Sequence, residues 1–261
     1  MKKLILMVLG ALLVHAALAQ RWDMASSFNY SRPTGGMGRN IEQGFGITFE
    51  GARVLKNAPF SVGAEFSYNA YGHEKTRQQY TFDDGSVTET NVIVTNAFSN
   101  LMVTGKFFLR NTKLINPYLS GKGGYSWYRT NLTIEDPEDV DGCRPLESER
   151  LLTDGTFTAS LGGGVRLDMS GIFKKMPTSM LFLDLSAHMT EGGTVEYMNV
   201  HEQSTHGSPD RDVMARFINN NTQVVHEHHV GHVYSSRVEM VEYRFGIVYR
   251  PMCGRSFSAN E

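Results

Sequence analysis

The sequence predicts an all-β chain: an eight-stranded antiparallel up-and-down β-barrel of the transmembrane kind, with long loops gathered at one end. Three observations predict it. Apolar and polar residues alternate in segment after segment, an export signal precedes those segments, and the connections between them alternate between short and long. Successive side chains on a strand point to opposite faces, so such alternation marks strands with one apolar and one polar face. Strands that are apolar outside and polar inside, on an exported chain, fit a barrel closed in lipid, which leaves no backbone group unpaired.

The export signal comes first along the chain. Lys2 and Lys3 form a basic start, residues 4–13 are apolar, and Ala17-Leu18-Ala19 fits a small-x-small cleavage site. Residues 1–19 are therefore expected to be a signal peptide, and the mature chain to begin at Gln20. The apolar stretch is too short for a spanning helix, and His15 interrupts it. No later stretch is long and apolar enough for a transmembrane helix either.

The strands follow. The first covers about 22–31, with Trp22, Met24, Ser26, Phe28 and Tyr30 on one face. The second, 44–55, sets Phe45, Ile47 and Phe49 against Thr48 and Glu50. The third, 59–71, has the cleanest alternation: Phe60, Val62, Ala64, Phe66 and Tyr68 against Ser61, Gly63, Glu65, Ser67 and Asn69. The fourth, 98–110, sets Leu101, Val103, Phe107 and Leu109 against Asn100, Thr104 and Lys106. The fifth, 117–130, sets Leu119, Tyr125 and Trp127 against Ser120, Lys122 and Ser126. The sixth, 155–169, carries Phe157, Ala159, Leu161, Val165 and Leu167 opposite Thr158, Ser160, Arg166 and Asp168. The seventh, 179–190, carries Leu181, Leu183, Leu185, Ala187 and Met189 opposite Asp184, Ser186 and His188. The eighth, 237–250, has Val241, Tyr243, Phe245, Ile247 and Tyr249 on one face, and Glu242 and Arg244 on the other.

Short connections at 56–58, 111–116 and 170–178 read as periplasmic turns; long ones at 32–43, 72–97, 131–154 and 191–236 read as external loops. An even strand count puts both ends of the barrel in the periplasm. The segment 80–87 also reads as a strand with an Asp-Gly turn, and 92–95 is β-prone. They either lengthen strands three and four or make the barrel ten-stranded. Val213, Met214 and Phe217 have helical spacing, which predicts a short loop helix over 210–219. The domain plan is a signal peptide over 1–19, an outer-membrane barrel over 20–250 and a periplasmic tail over 251–261.

Composition narrows the function classes. The 261 residues carry a net charge of −2, which gives no basic field for nucleic acid. Mean hydropathy of −0.29 is compatible with a barrel, because only alternate strand residues meet lipid. Cys143 and Cys253 are the two cysteines and do not make a disulfide framework. They fall on opposite sides of the predicted barrel.

With these residues in place the chain resembles small outer-membrane β-barrel proteins of the OmpA/OmpX-like type, in particular the Bacteroidetes-type outer membrane protein beta-barrel group. The resemblance is carried by Ala17-Leu18-Ala19-Gln20, by Ser160-Leu161-Gly162-Gly163-Gly164-Val165-Arg166 and by the final run from Val241 to Tyr249. It covers nearly all of the mature chain and is one of pattern. It implies the fold and a Gram-negative outer-membrane location. Such barrels usually end on an aromatic residue, whereas here a polar tail follows Tyr249.

Several side chains are candidates for a site. Glu50, Glu65, Lys106, Lys122, Arg166, Asp168, Asp184, His188, Glu242 and Arg244 lie on the inward faces. An eight-stranded barrel is just wide enough to be filled by side chains, so these charges are expected to pair in a plugged lumen. The other reading of the same residues is a narrow polar pore. His226, His228 and His232 in the last long loop are candidate ligands for Zn²⁺ or Cu²⁺, the only cofactors the sequence points to; the plain reading is a polar exposed loop. Asp184, Ser186 and His188 share a strand face, which makes a hydrolase site conceivable, but neighbours on one strand stand parallel. Tyr30, Tyr68, Tyr71, Tyr125, Trp127 and Tyr128, with Trp22, Phe60, Tyr118 and Tyr249 at the other end, read as two interfacial girdles. The expected role is structural, adhesive or accessory to an envelope complex, through the long loops. An enzyme at the rim and a small-solute channel are the alternatives. Expected partners are outer-membrane lipid and other envelope proteins, on a monomeric barrel.

Overall fold

The computed structural model of the chain describes residues 21–55, 58–81, 87–109, 114–135, 147–169, 180–200, 209–218 and 225–251. The predicted signal peptide and almost all of the predicted tail, with both cysteines, lie outside them. The strands are β1 (Arg21–Pro33), β2 (Gly44–Val54), β3 (Phe60–Thr81), β4 (Val87–Phe108), β5 (Ile115–Ile134), β6 (Glu147–Asp168), β7 (Leu181–Asn199), β8 (Arg211–Ile218) and β9 (Val225–Tyr249). Each pairs antiparallel with its neighbour, and β1 pairs with β9, so β1 to β7 and β9 close an eight-stranded up-and-down barrel. The segment read as helical, 210–219, contains strand β8 instead, whose ladder runs along the outer half of β9. Strand pairing overrides the local helical spacing there. The ten-strand alternative is also resolved. Residues 80–81 and 87–95 lengthen β3 and β4, which stay paired from Phe60↔Phe107 to Thr81↔Val87.

The alternation sorts as a barrel in lipid requires. Phe157 and Leu161 are 77% and 74% exposed, whereas Arg166 is 1% exposed. Exposed apolar residues recur around the wall: Met24, Phe28, Phe49, Phe66, Leu101, Leu119, Leu185 and Phe245 among them. A chain surrounded by water rarely leaves so much apolar surface uncovered. Runs such as Phe60 to Tyr68 and Val241 to Tyr249 match the roughly 9–11 residues that a tilted strand needs to cross a bilayer.

Above this band the wall divides. β1 and β2 stop pairing at Ser31↔Gly44, and β6 and β7 at Thr158↔Gly192. β3, β4, β5 and β6 run on together, and so do β7 and β9, joined by β8. The two groups face each other as a small sandwich. Val92, Val94, Leu132 and Ile134 pack with Val200, and Leu152 packs with Met198 and Val233. The Asp154 carboxylate spans the seam and accepts a hydrogen bond from the Glu196 backbone N–H at 2.7 Å.

Three bulges mark the junction: Ala70/Gly72 in β3, opposite Thr130/Asn131 in β6, and Glu191/Thr194 between β7 and β9. A bulge bends a strand and raises its twist, and here bulges lie where barrel gives way to sandwich. The β1–β2 connection folds into this junction. Gly35 turns it at φ +56°, where a side chain would also run into Glu239. The turn buries Met37 and Ile41 against Tyr71, Phe98, Tyr128, Tyr197, Val238 and Met240. Asn40 fixes it by donating to the Tyr197 hydroxyl at 2.9 Å.

Candidate functional site

The lumen is built in layers, because each strand offers every second residue to it. Closest to the turn end, Arg166 of β6 reaches Asp23 of β1 at 2.6 Å and Asp184 of β7 at 2.9 Å. Tyr118 donates to the other oxygen of Asp184 at 2.6 Å, and Arg250 holds Asp23 through two hydrogen bonds of 2.7 and 3.0 Å. The Arg166 guanidinium lies over the Phe108 and Tyr118 rings, 5.1 and 5.6 Å from their centroids.

The middle layer holds a second group of charges. Lys106 pairs with Glu50 at 2.7 Å and Lys122 with Glu65 at 2.9 Å. Arg244 grips Glu65 with two nitrogens, at 3.0 and 3.1 Å, and Glu242 at 2.6 Å. The fork of a guanidinium matches a carboxylate in this way, and such bonds are the strong ones. Taking these charges out of water costs several kcal/mol per ion, which only good pairing offsets. Toward the loops a neutral ladder takes over. Asn29 donates to Thr48 at 2.7 Å, Asn100 to Ser67 at 3.1 Å, and Ser126 bonds Thr158 at 2.8 Å. Above it sits the apolar cap of Met37, Phe98 and Tyr128.

Of the inward residues read from the sequence, Glu50, Glu65, Lys106, Lys122, Arg166, Asp184, Glu242 and Arg244 meet in ion pairs. Asp168 is buried and also has a partner. His188 sits among them, its Nε2 2.8 Å from the Ser120 Oγ of β5. The structure does not join His188 to Ser186 and Asp184, because Asp184 is taken by Arg166 and Tyr118. The hydrolase arrangement is thus not formed. The Ser120–His188 pair is sealed in the lumen, beside a void of about 20 Å³, room for about one water.

Asp23, Arg250 and Tyr118 are lumen residues that sequence reasoning misses. The available signal is parity: Asp23 alternates with Trp22 and Met24, and Tyr118 shares a face with Ser120 and Lys122. Tyr118, Tyr71 and Tyr128, read as girdle residues, are buried inside at 2%, 5% and 0% exposure. Tyr68 and Tyr249 of that set are exposed on the wall.

The side chains of His226 and His228 lie outside the described residues. Their backbones pair with Phe217 and Ala215. His232 pairs with Asp212 across a bulge, and its Nδ1 is 2.6 Å from the Asp212 carboxylate. The bulge falls between Val213 and Met214 of β8, opposite Gly231 and His229. Among the described residues no group of three His, Cys, Asp or Glu is placed to hold a metal ion.

The sequence matches no protein-family model and no curated protein. Its fold is similar to several solved outer-membrane barrels at low identity. Neisserial surface protein A aligns at TM-score 0.43 and 10% identity, covering 87% of this chain and 96% of that one. A major outer membrane protein from Thermus thermophilus gives 0.41 and 10%, covering 89% and 100%. Ail, the attachment invasion locus protein of Yersinia pestis, solved with the heparin analogue sucrose octasulfate, gives 0.37 and 11%, covering 89% and 99%.

Proposed function

We propose that this chain is an outer-membrane protein whose barrel is a sealed anchor and whose external sandwich is its working part. Its role is structural, adhesive or accessory to an envelope complex, exerted through the sandwich and the loops it carries. The observation behind this reading is the reversal of the strand faces along the axis. In the barrel the apolar face points outward; in the sandwich it points inward, as it does for a domain in water. A chain built in both ways along the same strands fits one part in lipid and one part beyond it. A channel would need a continuous lumen, but the described interior is filled from Arg166 up to Met37.

Fractionation of cells expressing the full chain, with a heat-modifiability gel and planar-bilayer recording, tests this. The expected result is an outer-membrane protein that changes mobility on boiling and conducts no ions. Recovery in the soluble fraction would refute the anchor, and stepwise conductance would refute the seal. Attachment of the same cells to host or neighbouring-cell surfaces should fall when the β8–β9 hairpin is trimmed while the barrel remains heat-modifiable.

A further inference from the structure

The outer wall of the barrel carries a dent. Tyr30, Tyr243, Ala187 and Gly163 are in register across β1, β9, β7 and β6. Two large rings therefore stand beside two residues with almost no side chain. With Phe28, Phe245 and Leu185 on the next row, they enclose an apolar pocket of about 510 Å³ on the outer wall. Two residues up β1 from Tyr30, on the same face and about 7 Å further along the strand, stands Arg32. It lines a second, polar pocket of about 290 Å³ with Arg39, Glu42 and Gln43. Arg32 and Arg39 are exposed, and neither has an ion pair among the described residues.

Height and charge together identify a ligand class. Aromatic rings such as Tyr30 and Tyr243 favour the level of lipid headgroups. Guanidinium groups are the side chains best shaped for phosphate oxygens. Among the residues that line this pocket, two guanidinium groups stand against the one carboxylate of Glu42, and the Glu239 carboxylate lies outside the lining, against Gly35. The polar pocket is larger than a phosphate group, and Glu42 and Gln43 offer hydrogen-bonding partners to neighbouring hydroxyls. We propose that this face binds a phosphorylated glycolipid of the external leaflet. Arg32 and Arg39 hold its phosphate, Glu42 and Gln43 its sugar hydroxyls, and the dent between Tyr243 and Gly163 one acyl chain. The proposal rests on the outer-membrane reading above.

Native mass spectrometry of the full chain in detergent tests it. The probes are bisphosphorylated lipid A, the same lipid with its phosphates removed, and phosphatidylethanolamine. A heat-modifiability gel is run on every sample. The bisphosphorylated lipid should be retained in preference to the other two. An Arg32→Ala/Arg39→Ala variant should lose at least about tenfold of that retention with its heat-modifiable band intact. Ala187→Leu, which fills the dent, should weaken retention of the phosphorylated and dephosphorylated forms alike. Undiminished retention by the double arginine variant, or equal retention of the dephosphorylated lipid, would overturn the phosphate site. Preference for phosphatidylethanolamine would overturn the glycolipid. Absence of a heat-modifiable band in the unaltered chain would overturn the barrel-in-membrane reading, and this proposal with it.

Discussion

Strand β4 passes through both halves of the molecule without changing which of its faces is inside. Its even-numbered residues point inward from Lys106 to Val92. Low on the strand that inner face is Lys106, Thr104 and Asn100, and the outer face is Phe107, Val103 and Leu101. High on the strand the inner face is Val94 and Val92, and the outer face is Thr95, Ile93 and Asn91. β5 repeats the exchange, from Ser120 and Lys122 inside to Leu132 and Ile134 inside. Geometry assigns the faces, but the medium around the strand decides which chemistry each face carries. In lipid the outside must be apolar and the polar groups must satisfy one another within. In water the apolar groups turn in and the driving force is their burial.

Substitutions sharpen the contrast. The largest effect is expected at Arg244→Met. It leaves Glu65 and Glu242 short of their shared partner, and breaking a buried pair costs about 3–5 kcal/mol. Urea unfolding in lipid vesicles would read the loss; an unchanged midpoint would mean the lumen is wet. Next come two substitutions on one face of one strand. Leu101→Arg should cost about 2–4 kcal/mol in the same assay. Ile93→Arg, on the outer face of the sandwich, should stay within about 0.5 kcal/mol. Equal costs would remove the lipid boundary between them. Val94→Asn puts an amide into the sandwich core and should cost about 1–3 kcal/mol. Limited proteolysis should then cut the external strands sooner, with the barrel still heat-modifiable.

The smallest effect belongs to Lys75 and Glu135, paired at 3.0 Å on the sandwich surface. Hydrogen bonds from Lys75 and Asn91 hold the Glu135 carboxyl below its usual range. Its contribution is therefore present above the ordinary carboxylate pKa and fades as pH falls through the lowered one. Lys75→Ala should leave stability at neutral pH unchanged, because exposed pairs of this kind contribute little.

The bulges explain how far the strands can be read. Alternation alone ends strand three at 71 and strand seven at 190 and starts strand six at 155; the register shifts lie at Ala70/Gly72 in β3, at Glu191/Thr194 in β7, and in β6 opposite Thr130/Asn131. A bulge moves a period-two pattern out of phase, so a search for unbroken alternation stops there. Beyond it the same strands continue with the opposite meaning, which makes the sandwich halves look like loop. The charged lumen residues are legible from parity, but their pairing is not, because it joins strands distant in sequence such as Asp23 with Arg250. The apolar cap is hidden too. Met37 and Ile41 sit in a Gly-rich stretch with no strand pattern, and only the turn at Gly35 carries them inward.

Depth measurement along the outer face of β4 tests the central claim most directly. Single cysteines at positions 93, 95, 101, 103 and 107, in a chain with Cys143 and Cys253 replaced by serine, would carry a spin label in lipid vesicles. Relaxation by a water-soluble agent would be compared with relaxation by oxygen, which concentrates in lipid. Positions 93 and 95 should respond to the aqueous agent, and 101, 103 and 107 to oxygen. Aqueous accessibility at 101 and 103 equal to that at 93 and 95 would contradict a lipid boundary between the barrel and the sandwich.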